Sequence, residues 1–122
     1  MANPLVKSGE IYKIDRPRLN NAQWPHYCVV MKVFPDGKVW ANFLGSKPDN
    51  YRPESGDILL KSTDTDFATT NLSHSTYLIN REYARIEIPI SNLFELEPRV
   101  GYVSGDFKKA IEELSGLELE AP

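Results

Sequence analysis

The sequence predicts a mainly β fold, a small open barrel of about five to seven antiparallel strands with a C-terminal α-helix. Short runs of β-branched and aromatic residues recur between turn-forming residues, as in small β domains. Apolar residues at clear helical spacing occur only near the C-terminal end. The 122 residues, of which 41% are hydrophobic and 25% charged, are enough for one core. Residues 1–122 are therefore expected to form a single domain.

The first half of the chain contains the clearest strand pattern. A first strand is expected at residues 9–15, before a long loop rich in Arg, Asn and Pro. Residues 26–34 are almost continuously apolar or β-branched, which predicts a central strand buried on both faces. The Pro-Asp-Gly-Lys turn at residues 35–38 joins it to a third strand at residues 39–44. These two strands are expected to form a hairpin.

The second half predicts two more strands, at residues 77–79 and 83–88. The latter alternates, which puts Arg85 and Glu87 on one face. Arg81 and Arg85 are expected to form salt bridges with Glu82 or Glu87. Polar stretches at residues 45–56 and 63–75 are expected to be loops.

The closing helix is predicted at about residues 104–115. Ser104 is the expected N-cap, and Asp106 lies in the first turn, where a negative charge suits the helix dipole. Gly116 is placed to end the helix as a C′ glycine. The acidic tail, residues 117–122, is expected to fray or to dock loosely.

The cysteine content and the lengths of the apolar runs exclude several classes of protein. A single cysteine, Cys28, excludes an internal disulfide and a multi-cysteine zinc site, and its apolar neighbours predict an inert core thiol. No apolar run approaches the length of a membrane span, and the first nine residues lack a signal-peptide pattern. We therefore expect a cytoplasmic protein with no membrane partner.

The net charge of −3 hides an asymmetry along the chain. Residues 1–52 contain eight basic and four acidic side chains, whereas residues 53–122 contain six basic and thirteen acidic ones. Phosphate affinity depends on local lysine and arginine rather than on net charge. The pattern fits RNA binding on one surface, an acidic patch for a basic partner, or solvated charge alone.

Familiar phosphate-binding, nucleotide-binding and metalloprotease motifs are absent from the sequence. Asp64 and Asp66, with His74 eight residues later, lack the spacing of a calcium or zinc site. Neither a metal nor another cofactor is expected.

Chemistry-bearing residues collect instead where the second strand begins and the third ends. His26 opens the second strand, and the hairpin should return Ser46 and Lys47 to its side. A histidine titrating near neutral pH can act as general acid or base in RNA cleavage, and a cation can stabilise the phosphorane. His26 and Ser46 are thus candidate catalytic residues, and Lys47 is a candidate substrate-binding residue.

The loop before the second strand adds Arg16 and Arg18 as candidate phosphate-binding catalytic residues. Trp24, with Tyr51 beside Arg52 in a later loop, is a candidate for stacking and holding an unpaired base. Structural interpretations stay open: His26 as a strand cap, the arginines as solvated loop charges, and Trp24 as a lid on the core.

The order of these elements resembles the MazF/PemK family of toxins. The similarity covers nearly the whole chain: residues 9–15, the charged loop, Pro25 leading into residues 27–30, the strand at residues 75–79, and residues 100–104 before the closing helix. The resemblance implies an SH3-like barrel, a homodimer, and metal-independent cleavage of single-stranded RNA. It also implies an antitoxin protein whose disordered tail covers the RNA groove.

Two positions bear on activity. The family usually has an arginine immediately before the proline that opens the second strand, and this chain has Trp24, so the basic role would move to Arg16, Arg18 or His26. Ser46 is the nearest match to the family's threonine or serine after the third strand. The alternative function is a non-catalytic SH3-like module that binds a protein partner; a gyrase-directed toxin on the same barrel is a third.

Overall fold

The computed structural model describes residues 6–14, 26–90 and 100–121. Within them lie seven β-strands and the C-terminal α-helix, which confirms the mainly β prediction. The bounds are β1 (Glu10–Ile14), β2 (His26–Val33), β3 (Lys38–Gly45), β4 (Ile58–Leu60), β5 (Thr76–Leu78), β6 (Arg85–Pro89), β7 (Gly101–Tyr102) and α1 (Gly105–Ser115). Short 3₁₀ helices occupy Pro48–Asn50, Pro53–Ser55, Thr65–Thr70 and Glu82–Ala84.

All the strand pairs are antiparallel, and the sheet curls into a half-barrel. The strand order is β4-β5-β3-β2-β1-β7, with β6 also paired to β3. The predicted hairpin is confirmed by the pairing of β2 with β3, which runs from Cys28 opposite Phe43 to Val33 opposite Val39. On its other edge β3 pairs first with β6 and then, near Gly45, with β5.

Strand β2 is buried on both faces, as its continuous apolar run predicts. Val29 and Met31 belong to the main core, which α1 covers with Phe107. Cys28 and Val30 belong to a second apolar cluster on the opposite face of the sheet. The strand therefore lies at the centre of the fold, with residues 28–31 buried.

Burial makes Cys28 a probe of unfolding. The thiol is fully buried, and desolvation raises its pKa from 9.0 to about 12. Since thiols react as thiolates, we expect the folded protein to resist a disulfide reagent at pH 8 and to react fully in guanidinium chloride. The unfolded thiol loses its proton above pH 9 while the folded one keeps it to about pH 12, so the free energy of unfolding should fall across that interval.

The Cys28→Ala variant is the control for the fall in the free energy of unfolding between pH 9 and pH 12. It lacks the thiol and keeps every lysine and tyrosine, so the thiol's share of the fall should disappear. Rapid labelling of the native protein at pH 8 would contradict the assignment of Cys28 to the core.

The helix matches its predicted extent, but its N-terminal cap comes from elsewhere in the chain. Ser104 makes no side-chain cap, and its hydroxyl lies 2.8 Å from the Thr69 hydroxyl. The Asp66 Oδ2 atom instead accepts a hydrogen bond of 2.9 Å from the Phe107 backbone N–H. Gly116 ends the helix with a φ of +73°, as predicted.

The acidic tail is docked, so the expectation that it frays or docks loosely is wrong. Leu119 and Ala121 are buried, and the Glu120 backbone N–H donates to the Ser8 hydroxyl at 2.9 Å. Lys108 Nζ reaches the Ala121 carbonyl at 2.8 Å. Alternate apolar side chains in the tail face the core, so its charges can remain outside.

Within the part of the chain that the structure describes, no helix is long and apolar enough to span a membrane.

Candidate functional site

The predicted site lies at the end of the sheet where β2 begins and β3 ends. The pairing of Cys28 with Phe43 brings His26, the first residue of β2, and Gly45, the last of β3, to the same edge. On the other side of β2, the backbone of His26 pairs with Ile14 of β1. Ser46 is exposed and follows β3 at this edge. The start of β2 and the end of β3 therefore lie side by side, as the predicted hairpin requires.

The remaining members of the predicted catalytic cluster lie beyond the structural description. Arg16, Arg18 and Trp24 fall outside the described residues, and the structure describes the backbone of His26 but not its side chain. Their roles stay predictions.

Tyr77 holds the corner that follows β3. Tyr77 pairs with Gly45, and its ring lies where a Gly45 side chain would be, with the ring Cζ 2.5 Å from an ideal Cβ position. The Tyr77 hydroxyl donates to the Lys47 carbonyl at 3.0 Å, and the Lys47 side chain is exposed. Tyr51 packs on the same ring, with 5.4 Å between centroids and 51° between planes. The predicted stacking residue Tyr51 is thus half-buried in an aromatic pair.

Arg52 forms short-range contacts. Its Nη1 atom donates to the carbonyls of Asp49 at 2.7 Å and Tyr51 at 3.0 Å, while the side chain as a whole remains exposed. These bonds stabilise the turn that contains Pro48–Asn50. Arg52 and Lys47 lie on the same segment after β3, but no direct contact joins them.

A buried carboxylate that the sequence analysis missed anchors this segment to the rest of the sheet. Asp57 Oδ2 accepts hydrogen bonds from Arg81 Nη2 at 2.6 Å and from the Arg52 backbone N–H at 2.9 Å. Its Oδ1 atom accepts from the Asn80 backbone N–H at 2.8 Å. Arg81 thus pairs with Asp57, so its expected salt bridge with Glu82 or Glu87 is wrong.

A second cluster, also missed, lies on the face of β3 that points toward α1. The Arg85 guanidinium carbon stands 3.8 Å from the centre of the Trp40 ring. Trp40 Nε1 donates to Asn42 Oδ1 at 2.8 Å, and Asn42 Nδ2 donates to the Ile79 carbonyl at 3.0 Å. Arg85 Nη2 also lies 3.7 Å from Glu87 Oε2, which confirms the predicted salt bridge between these two residues. A buried amide therefore fixes the indole, and the exposed guanidinium packs over it.

Two lysines share this face. Val29 lies opposite both Ile11 and Asn42. A register shift between Val30 and Lys32 places Lys32 opposite Trp40, so Lys32 shares the face of Trp40. Paired residues of antiparallel strands project to the same side. Lys13, paired with Tyr27, therefore projects to it as well, with its Nζ 6.0 Å from the Tyr27 ring. We call Lys13, Tyr27, Lys32, Trp40 and Arg85 the aromatic–basic face.

The candidate metal ligands have other roles. Asp64 Oδ2 accepts from the Lys61 backbone N–H at 2.9 Å, and Asp66 caps α1. Over residues 6–14, 26–90 and 100–121, no group of three His, Cys, Asp or Glu side chains is placed to hold a metal ion.

Comparison with protein-family models finds none that matches this chain, and comparison with curated proteins finds no significant match. The functional assignment therefore rests on the residues of the chain itself.

Proposed function

We propose that this protein binds single-stranded RNA and cleaves it without a metal ion, as a toxin-like endoribonuclease restrained by an antitoxin protein. The observation that carries the proposal is the Arg85 guanidinium 3.8 Å over the Trp40 ring, on a sheet face that also bears Lys13 and Lys32. Proteins that bind single-stranded RNA stack its bases on aromatic or guanidinium planes and pair its phosphates with basic side chains.

The arrangement of Trp40 and Arg85 favours binding because it is already ordered. The bond from Trp40 to Asn42 fixes the ring, and the ring in turn restricts the guanidinium. A restricted side chain loses less entropy when a ligand binds. An arginine keeps its charge at any physiological pH and presents a flat face together with several donors, so it can meet a base or a phosphate.

The cleavage step is assigned to the edge where β2 begins. In the proposal His26 acts as general acid or base on the 2′-hydroxyl or the leaving 5′ oxygen, and Arg16 and Arg18 bind the phosphate. The exposed Ser46 donates a hydrogen bond there, and Lys47 stabilises charge on the phosphorane. The resemblance to MazF/PemK toxins supports this chemistry, together with a homodimer acting in the cytoplasm.

The experiment is to incubate the purified protein with a long mixed-sequence RNA in EDTA and to read fragment ends by primer extension. We expect discrete cuts, which disappear in His26→Ala and Arg16→Ala while the thermal melts stay unchanged. Lys61→Ala, which removes an exposed lysine from the turn that follows β4, is the matched control and should cut normally. Absence of cuts from folded wild-type protein would overturn the enzyme assignment and favour the non-catalytic binding module.

Binding is measured in parallel with a labelled single-stranded RNA. Arg85→Ala should weaken it about fivefold to thirtyfold, the equivalent of about 1–2 kcal/mol for one stacking contact. Affinity should also fall steeply as salt rises, whereas an apolar protein interface would barely respond. Equal RNA affinity of Arg85→Ala and Lys61→Ala would remove the aromatic–basic face from the proposal.

A further inference from the structure

A groove of about 440 Å³ runs between β4 and the first half of α1. This volume lies within the range of about 300–1,000 Å³ that is typical of ligand sites. None of the residues that line it is basic, and three are aspartates. The lining residues are Ile58, Leu59, Leu60, Thr63, Asp64, Thr65, Asp66, Asp106, Phe107 and Ala110.

Of the large apolar side chains that line the groove, Leu60 and Phe107 are buried in the core and Leu59 is exposed. Among the described residues, the large hydrophobic side chains that count as exposed are Leu59, at 38%, and Leu114, at 40%. Leu59 lines the groove, and Leu114 lies one helical turn beyond Ala110 on α1. An exposed apolar side chain beside a concave surface gives a partner apolar area to bury.

The rim of the groove is acidic and retains hydrogen-bonding capacity. Asp64 and Asp66 each use one carboxylate oxygen, Oδ2, to accept a backbone N–H. The Asp106 side chain is exposed and forms no hydrogen bond or ion pair with any other residue that the structure describes. The lining residues include three aspartates and no basic side chain, so their formal net charge is −3. Such a field attracts lysine and arginine and repels phosphate.

We propose that this groove binds a basic amphipathic segment of a partner protein. Its apolar side chains would cover Ile58, Leu59 and Ala110. Its lysine or arginine side chains would pair with Asp64, Asp66 and Asp106. Charge complementarity selects this occupant, because a nucleic acid would meet the carboxylates with like charge and a second copy of the groove would do the same. The site shares no residue with the aromatic–basic face, so it does not depend on the proposed RNA cleavage.

The test uses a synthetic peptide of about 14 residues with leucines at i, i+3, i+4 and i+7 spacing and lysines elsewhere. It is titrated into the full-length ¹⁵N-labelled protein. We expect amide shifts confined to residues 58–66 and 106–110 and a saturable binding curve. A peptide of the same pattern with glutamates in place of lysines should not bind, and one with the leucines replaced by serine should bind much more weakly.

Two variants locate the site. Leu59→Ser and Asp106→Lys should each weaken binding about threefold to tenfold with little change in the thermal melt. Asp36→Lys, in the β2–β3 turn, changes the net charge by the same amount as Asp106→Lys and should leave binding nearly unchanged. The proposal is overturned by shifts outside the groove, by equal binding of the glutamate peptide, or by an Asp36→Lys effect as large as that of Asp106→Lys.

Discussion

Replacing Asp57 with alanine is expected to lower the free energy of unfolding by about 3 kcal/mol, the largest effect of any single polar substitution that we foresee. The Asp57 carboxylate is fully buried and pairs with Arg81, which is 24% exposed. Its removal takes the Asp57 carboxylate away from the Arg81 guanidinium, which keeps its bond to the Asn50 carbonyl. It also takes away the acceptor of the Arg52 and Asn80 backbone N–H groups. Guanidinium chloride unfolding, followed by circular dichroism, measures the change.

Two comparisons make the Asp57 result specific. Asp49→Ala removes an exposed aspartate from the same segment and should change the free energy of unfolding by less than about 0.5 kcal/mol. Combining Asp57→Ala with Arg81→Leu should recover part of the loss, since the double variant removes both charges of the pair. An effect of Asp57→Ala no larger than that of Asp49→Ala would show that the buried pair does not hold the segment.

The second large effect is expected at Gly45, where an added methyl group would overlap the Tyr77 ring. An ideal Cβ would lie 2.5 Å from Cζ and 2.6 Å from the hydroxyl oxygen of Tyr77, which is buried and bonded to the Lys47 carbonyl. Gly45→Ala should therefore destabilise the protein by about 2 kcal/mol through overpacking. It should also displace Ser46 and Lys47 and so reduce the proposed RNA cleavage more than the loss of stability explains.

A double-mutant cycle tests that mechanism. In a Tyr77→Leu background the space beside Gly45 is open, so Gly45→Ala should cost less than about 0.5 kcal/mol. The same cost in both backgrounds would mean that the ring is not what excludes a side chain at residue 45.

Local patterns in the sequence were enough to predict several elements. The continuous apolar run of β2, the Pro-Asp-Gly turn and the spacing of Phe107 and Ile111 each identify one element, because the signal lies within about ten residues. The hairpin then follows, and with it the position of the Ser46 corner beside the start of β2.

Side-chain contacts between residues that are far apart in the sequence could not be predicted in this way. Arg85 stacks on Trp40 only because β6 pairs with β3 in one register, and no local rule sets that register. The same holds for the cap that Asp66 provides to α1 and for the pairing of Asp57 with Arg81. A one-residue shift in the β3–β6 register would have sent Arg85 to the other face of the sheet.

The docked tail has a consequence for how the chain folds. The bond from the Glu120 N–H to the Ser8 hydroxyl joins residues 112 positions apart, and the Ala121 N–H adds a second bond to the Ser8 carbonyl at 2.8 Å. A contact of such long sequence separation carries a large loop-closure entropy, which is offset only after the intervening strands are ordered. We therefore expect the tail to attach after the rate-limiting step of folding, so that it slows unfolding and protects the fold kinetically without speeding its formation.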